Sequence, residues 1–286
     1  MKVRNNRFRI YVFSLLLIFL FFSFYFLLRN HQASADKAGE SVQSAVATAA
    51  STASPDIGGL NWPAGQTIDV PILMYHHVGP LPANADDVRK GLTVSAEEFE
   101  GQMKYLKDNS YKGLSFVEMY RMVAKDSPLQ EKSIVLTFDD GYSDNYEVAR
   151  PILEKYGFAG TFFIISGKIG QAEYMNEAQI RELAAKGNEI GSHSVSHPDL
   201  ANLSGAKMKT EVEKSKTDLE KITGEKVVSF CYPAGKYNEA VEKAVQAAGY
   251  KIAVTTQKFQ PFSTDKPFEV PRYRINPGTS LKSLLD

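Results

Sequence analysis

The chain has 286 residues, and its 33 basic and 33 acidic side chains give a formal net charge of zero at pH 7. Because the charges balance, the composition gives no indication of a nucleic-acid partner or of a strongly charged protein partner. Cys231 is the single cysteine, which excludes an internal disulfide and a metal cluster built from several thiolates. We expect Cys231 to be a small buried side chain.

The first 30 residues predict a membrane anchor. Basic residues precede an uncharged apolar run over residues 10–28, which Arg29 closes. At about 1.5 Å per residue this run reaches roughly 28 Å, enough to cross the hydrocarbon core of a bilayer. The basic flank predicts a cytoplasmic start, so the rest of a single-pass protein would lie outside the cell. Ala33-Ser34-Ala35 also resembles a cleavage site, and cleavage after Ala35 would release a secreted form instead.

The next region, residues 31–68, is rich in alanine, serine and threonine and lacks a sustained apolar period. Such a composition is typical of a flexible tether. From residue 69 onward, short β-rich runs alternate with amphipathic helical segments. We therefore divide the chain into an anchor (1–30), a linker (31–68) and a folded domain (69–286).

Seven apolar runs in the domain predict β-strands, with helical segments between them. One helix begins with a capping box of Ser95 and Glu98, and four others end at a glycine. This alternation predicts an α/β domain with a parallel sheet, although periodicity leaves open whether the sheet closes into a barrel. The predicted strands are residues 70–76, 133–138, 160–166, 189–194, 227–233, 251–256 and 272–276.

Polar side chains follow four of these strands at the point where each strand ends. In a parallel sheet the carboxyl ends share one edge, so these side chains should meet there. The four histidines beyond the linker all belong to this set. Its members are His76 and His77, Asp139 and Asp140, His193 with His197, and residues 233–235.

His193 and His197 are spaced to supply two imidazoles to one metal ion. By themselves, histidines four residues apart more often lie on a solvated surface or cap a turn. With one carboxylate from Asp139 or Asp140 they make a two-histidine, one-carboxylate set that suits catalytic Zn2+ or a similar ion. The other carboxylate would then accept a proton from the water that the ion activates. A plain Asp-Asp-Gly turn is the alternative for the acidic pair.

His76 and His77 are candidates for a general acid that protonates a leaving amine. We prefer His76, because strand alternation places it on the face of Ile72 and Met74 and opposite Tyr75. A histidine that is satisfied within the loop is the alternative.

Three segments resemble the motifs of the NodB-homology polysaccharide deacetylases, carbohydrate esterase family four: TFDDGY (137–142), HSVSHPDL (193–200) and YPAGKYN (232–238). The resemblance extends over about residues 70–276 and implies a deformed (β/α) barrel, here of about seven parallel strands. It also implies a divalent metal, which we expect to be Zn2+, with Co2+ or Ni2+ as alternatives. Carried to this chain, it makes Asp139 the catalytic base and Asp140, His193 and His197 the metal ligands. We further expect substrate contacts at Tyr142, Pro233 and Tyr237.

This sequence departs from the family pattern in three places. Cys231 and Ala234 stand where the family usually has an arginine and a tyrosine, although the backbone N–H of Ala234 can still help to hold an oxyanion. No histidine follows His197, so the usual C-terminal Leu-x-His motif is absent. In the branch that resembles poly-N-acetylglucosamine deacetylases, a Met-Tyr-His strand supplies that acid, and His76 fits this pattern. The tryptophan-containing motif of many members is also missing, because Trp62 is the single tryptophan.

The segment PRYRIN offers a replacement for the missing arginine. We expect Arg272, rather than Arg274, to pair with Asp139 and keep it ionised. An arginine that closes a surface strand is the alternative.

The sequence therefore predicts a membrane-anchored, monomeric, extracellular hydrolase that removes N-acetyl groups from N-acetylglucosamine units of a polysaccharide, with no nucleic-acid partner. Peptidoglycan, chitin oligomers and O-acetylated xylan are alternative substrates. A deacetylase-like module that binds glycan without cleaving it is the alternative from a different class.

Overall fold

The computed structural model describes residues 61–285. The predicted anchor, its cleavage site and the linker as far as residue 60 lie outside the described residues. Within 61–285, no helix has both the length and the apolar character that crossing a bilayer requires.

Seven parallel strands close into a barrel in the described part of the chain. Each strand pairs with its neighbour in the order β1-β7-β6-β5-β4-β3-β2, and β2 pairs again with β1. The barrel that the family resemblance implied is therefore confirmed. The strands are β1 Ile72–Tyr75, β2 Ser133–Phe138, β3 Thr161–Ile164, β4 Glu189–Ser192, β5 Ser229–Cys231, β6 Ile252–Lys258 and β7 Val270–Arg274.

Every predicted strand is present, but several boundaries differ. The last one begins at Val270 instead of residue 272 and contains Pro271, which has no N–H to donate to a sheet. The register between β6 and β7 shifts between the pairs Val254–Val270 and Lys258–Arg272. Pro271 lies within this irregular stretch, where a ladder hydrogen bond is not needed.

Helices surround the barrel and follow the predicted start and stop signals. The capping box of Ser95 and Glu98 is present, and Gly157 and Gly224 end their helices in the left-handed conformation. Residues 145–149 form a π-helical turn that leads into α4. The helices are α1 Asp87–Leu92, α2 Ala96–Asp108, α3 Phe116–Ala124, α4 Arg150–Tyr156, α5 Glu177–Ala185, α6 Gly205–Thr223, α7 Glu239–Ala247 and α8 Leu281–Leu285.

Alternation along β2 divides the core into two layers. Ile134, Leu136 and Phe138 pack in a cluster with residues of the surrounding helices. Val135 belongs to a second cluster, which contains Ile72, Phe163, Cys231 and Val254 from the other strands. Because side chains alternate in a strand, residues 137 and 139 continue the inner face that begins at Val135. Asp139 is thereby aimed into the barrel.

We expect Gly191→Ala to destabilise the barrel. A Cβ atom at Gly191 would lie 2.5 Å from the ring of Phe163 and 2.8 Å from Ser229 Oγ. Overpacking of this kind costs about 1–3 kcal/mol of unfolding free energy, which urea denaturation would measure. Gly101→Ala is the matched control, because Gly101 lies within α2 with open space around it. That change should stabilise by about 0.5–1 kcal/mol. Equal stability of Gly191→Ala and the wild type would contradict the packing described.

Candidate active site

The carboxyl ends of four barrel strands deliver the candidate residues to one rim. Asp139 and Asp140 follow β2, and His193 follows β4. His76 follows β1, and the turn Pro233–Gly235 follows β5. Because all seven strands run parallel, these ends lie on the same side of the barrel.

A buried ion pair joins Asp139 to Arg272 of β7. Arg272 Nη1 donates to Asp139 Oδ1 and Nη2 to Oδ2, both at 2.8 Å. Arg272 is 0% exposed, and it also donates to the Thr255 carbonyl oxygen at 3.0 Å and to Thr137 Oγ1 at 2.8 Å. The bidentate geometry fixes both the position and the rotation of the Asp139 carboxylate.

The same pair determines the charge of Asp139. Burial by itself would raise the pKa of this carboxyl group, but the Arg272 guanidinium outweighs burial and holds the pKa well below its usual range. Asp139 is therefore ionised at neutral pH. An ionised carboxylate can accept a proton, which a general base requires.

Asp140, His193 and His197 form a compact set of metal-binding groups. Asp140 Oδ1 lies 3.4 Å from His193 Nε2 and 3.6 Å from His197 Nε2. One ligand atom from each residue lies within 4.8 Å of the other two. Two imidazole nitrogens and one carboxylate oxygen at these separations fit a divalent ion such as Zn2+ that keeps open positions.

The orientation of His193 supports this assignment. Its Nδ1 lies 2.7 Å from the Cys231 carbonyl oxygen. A carbonyl only accepts, so Nδ1 carries a proton, and Nε2 is the nitrogen that faces Asp140 and would bind a metal.

A second group of three side chains could also hold a metal in the described part of the chain, namely Asp139, His193 and Cys231. This group is less suitable, because both oxygens of Asp139 are occupied by Arg272. In addition, burial raises the pKa of the Cys231 thiol, whereas a metal binds the thiolate. The geometry therefore favours the Asp140 set.

His76 and His77 point in different directions. His76 Nε2 lies 4.0 Å from Asp139 Oδ2, on the rim side of the ion pair. Burial lowers the pKa of His76, and the carboxylates of Asp139 and Asp140 oppose that effect only in part. His77 instead pairs through Nδ1 with Asp144 Oδ2 at 2.8 Å and stacks on Tyr142 with ring centroids 3.6 Å apart. His76 is thus the member of the pair that the structure brings to Asp139.

The remaining predicted site residues, namely Ala234 and the three expected substrate contacts, differ in how exposed they are. Ala234 is exposed and has a φ of +54°, which is unusual for a residue with a side chain. Tyr142 is partly exposed, and burial followed by the nearby Asp140 carboxylate raises the pKa of its hydroxyl. Tyr237 stacks on Tyr232 at 4.6 Å and remains partly exposed. Pro233 is the buried first residue of the turn Pro233–Gly235.

Sequence reasoning missed the polar contacts of Cys231 and the hydrogen bond that Thr137 accepts from Arg272. Cys231 Sγ lies 3.2 Å from Arg272 Nη2 and 3.5 Å from Asp139 Oδ2, so this buried side chain contacts the ion pair. Thr137 lies two residues before Asp139 on the inner face of β2. Strand alternation could have identified Thr137, whereas the contacts of Cys231 depend on how three strands pack.

Comparisons with known proteins assign the class of this barrel. A profile of the polysaccharide deacetylase family matches residues 126–253, which include both aspartates and both histidines of the site. YxkH of Bacillus subtilis (strain 168), a protein named for the same family, is 36% identical over 211 residues, which cover 74% of this chain and 73% of YxkH. The chain belongs to the polysaccharide deacetylase family and is an enzyme of that class, as its three motifs implied.

Solved structures show the same barrel. Deacetylase PplD of Streptococcus pyogenes, determined in complex with acetate, matches with a TM-score of 0.71 at 33% identity and covers 77% of this chain and 98% of its own. A polysaccharide deacetylase from Bacillus cereus matches with a TM-score of 0.68 at 30% identity, covering 76% of this chain and 68% of its own.

The poly-beta-1,6-N-acetyl-D-glucosamine N-deacetylase of Staphylococcus aureus (strain MRSA252) is 26% identical in sequence over 201 residues, which are 65% of this chain and 69% of that protein.

We expect Asp139 and His193 to differ in their effect on metal binding. His193→Ala should lose bound Zn2+ or Co2+, because it removes one of three ligands. Asp139→Asn should retain the metal, because Asp139 is held by Arg272 rather than by the metal set. Metal analysis after dialysis, with the wild-type protein as control, measures both. Equal metal loss in the two variants would mean that Asp139 and Asp140 have exchanged roles.

Proposed function

We propose that this enzyme removes N-acetyl groups from N-acetylglucosamine units of an extracellular or cell-wall polysaccharide. The arrangement of Asp139 beside the Asp140, His193 and His197 set supports this proposal most directly. One carboxylate is ionised and, although Arg272 donates to both of its oxygens, keeps lone pairs that can accept a proton, while the other faces the two imidazoles. The name of the Staphylococcus aureus relative, a poly-beta-1,6-N-acetyl-D-glucosamine N-deacetylase, supports the substrate class.

The chemistry divides between the metal and the residues of the chain. A divalent ion held by Asp140, His193 and His197 would lower the pKa of water and polarise the acetamide carbonyl. Asp139 accepts the proton of the attacking water, and Arg272 keeps Asp139 ionised and oriented for that transfer. The backbone N–H of Ala234 donates to the developing oxyanion.

His76 completes the reaction by donating a proton to the departing nitrogen. Its Nε2 lies 4.0 Å from Asp139 Oδ2, so base and acid lie in the same site. Because burial lowers the pKa of His76, the protonated ring is a stronger acid than free imidazole. Tyr142 and Tyr237, which are both partly exposed, offer aromatic surface to sugar rings.

The same proposal includes the location of the enzyme. The basic and apolar N-terminal 30 residues would anchor a monomeric enzyme in the cell membrane with its barrel outside, or release it if the chain is cleaved after Ala35.

Release of acetate from chitopentaose tests the reaction. We expect acetate release by the purified enzyme, its loss after treatment with a chelator, and its recovery when Zn2+ or Co2+ is added. The same assay on poly-β-1,6-N-acetylglucosamine, purified cell wall and acetylated xylan identifies the polymer. Unchanged activity after complete metal removal would refute the proposed use of a metal. Acetate release from xylan alone would refute the N-acetyl specificity.

Arg272→Ala should reduce the rate of acetate release by at least about tenfold, since general base catalysis contributes about 10²–10⁴-fold. Without the guanidinium, burial raises the pKa of Asp139. Asp139 is then protonated over a wider pH range, and the acid limb of the pH profile of kcat/KM moves to higher pH. Arg274→Ala is the matched control, because Arg274 lies two residues further along β7 and is exposed. A rate for Arg272→Ala within a few-fold of the wild type would refute this role.

A further inference from the structure

The loop that joins the two histidines, residues 194–197, has a sterically unfavourable backbone. Ser194 has a φ of +63° and His197 a φ of +59°. Residues with side chains adopt this left-handed region rarely, and such a conformation persists only when surrounding contacts enforce it. The position of His197 therefore depends on whatever holds this loop.

One side of the loop is held by the turn Ser166–Lys168, which follows β3. Ser166 N donates to the Ser194 carbonyl oxygen at 3.1 Å, and Gly167 N donates to the Val195 carbonyl oxygen at 2.8 Å. The approach is close, because a Cβ atom at Gly167 would lie 2.6 Å from the Val195 oxygen. These contacts hold two carbonyl groups of the loop and leave the N–H groups of residues 195 and 196 to other acceptors.

Glu211 of α6 accepts from those N–H groups. Its Oε2 accepts from Val195 N at 2.9 Å and from Ser196 N at 2.8 Å, and its Oε1 accepts from Ser196 Oγ at 2.7 Å. One carboxylate thus satisfies three donors of the loop.

Helix α6 is a rigid base for this carboxylate. Val212 is fully buried, and Ser215 Oγ lies 2.7 Å from Ser192 Oγ at the end of β4. The helix is thereby held in register with the strand that leads to His193. Glu211, one turn before Ser215, is fixed relative to that strand.

The two histidines differ in how they are anchored. His193 is held by the barrel, since its N donates to the Ile164 carbonyl oxygen at 2.9 Å and its ring contacts the Cys231 carbonyl oxygen. The side chain of His197 is 35% exposed, against 3% for His193, and its N donates to Ser194 Oγ within the same loop. The loop contacts thus determine where His197 points.

We propose that Glu211 is a positioning residue of the active site. It fixes loop 194–197 and thereby keeps His197 close enough to Asp140 for both side chains to bind the same metal ion. This inference rests on the proposed metal set. Glu211 is not one of the proposed metal ligands, and it acts through its contacts with the loop.

Titration of the metal-free protein with Co2+, followed by visible absorption, tests the proposal. Loss of a group that supports a ligand weakens metal binding by about 10- to 100-fold, which we expect for Glu211→Ala. Glu211→Asp keeps the charge but retracts the oxygens by about 1.5 Å, and should weaken binding similarly. Glu211→Gln keeps an oxygen that can accept from both N–H groups, and should remain within about threefold of the wild type.

Glu213→Ala is the matched control, because it removes the same charge from an exposed position two residues further along α6. We expect it to bind Co2+ like the wild type. Urea unfolding of the metal-free variants, including Glu211→Asp, separates positioning from general stability. A weaker Co2+ affinity with an unchanged unfolding midpoint supports the proposal. Unchanged affinity in Glu211→Ala and Glu211→Asp would overturn it.

A double-mutant cycle with His197→Ala identifies the route of the effect. If Glu211 acts through His197, Glu211→Ala should cause little further loss of Co2+ affinity in the His197→Ala background. Additive losses would overturn the proposal even though both residues affect binding. Failure of the wild-type protein to bind Co2+ would refute the proposed metal set, and with it this inference. Wild-type binding that Glu211 variants leave intact would refute this inference alone.

Discussion

The buried ion pair between Arg272 and Asp139 is the interaction on which the rest of the site depends. A guanidinium without access to water needs a carboxylate, and breaking such a buried pair costs about 3–5 kcal/mol. The two residues come from β7 and β2, which lie on either side of β1 in the closed barrel. Closure of the barrel brings the two residues together. The geometry that forms the fold therefore also keeps Asp139 ionised.

The adjacent aspartates have different environments because the chain turns away from the direction of β2 between them. The N–H of Asp139 still donates to the Tyr75 carbonyl oxygen at 2.9 Å, so its side chain follows the inward alternation of β2. Asp140 has a φ of +74°, which turns the chain out of the strand and directs its carboxylate toward His193. A turn at Asp-Asp-Gly and a site built from the two aspartates are therefore not alternatives. The turn is what separates one acid that faces the barrel interior from one that faces the rim.

The meeting of Asp139, Asp140, His193 and His197 could be predicted from sequence, since parallel strands place their carboxyl ends on one rim. The choice between Arg272 and Arg274 could not be made from alternation, because residues two apart share a face of the strand. Depth in the barrel separates them: Arg272 is buried and Arg274 is exposed. That depth is a property of the closed barrel, in which the register of β7 against β6 also shifts beside Pro271, and a single segment of sequence carries no signal of it.

Cys231 shows why the arginine can come from β7. The family pattern that this sequence resembles has an arginine at this position, and two guanidinium groups beside Asp139 would compete for one carboxylate. The thiol is small enough for Arg272 Nη2 to approach its Sγ to 3.2 Å while both nitrogens reach Asp139. Positions 231 and 272 are therefore coupled, because a large cation at one requires a small side chain at the other. The base requires a positive charge at one place in the barrel, and more than one strand can supply it.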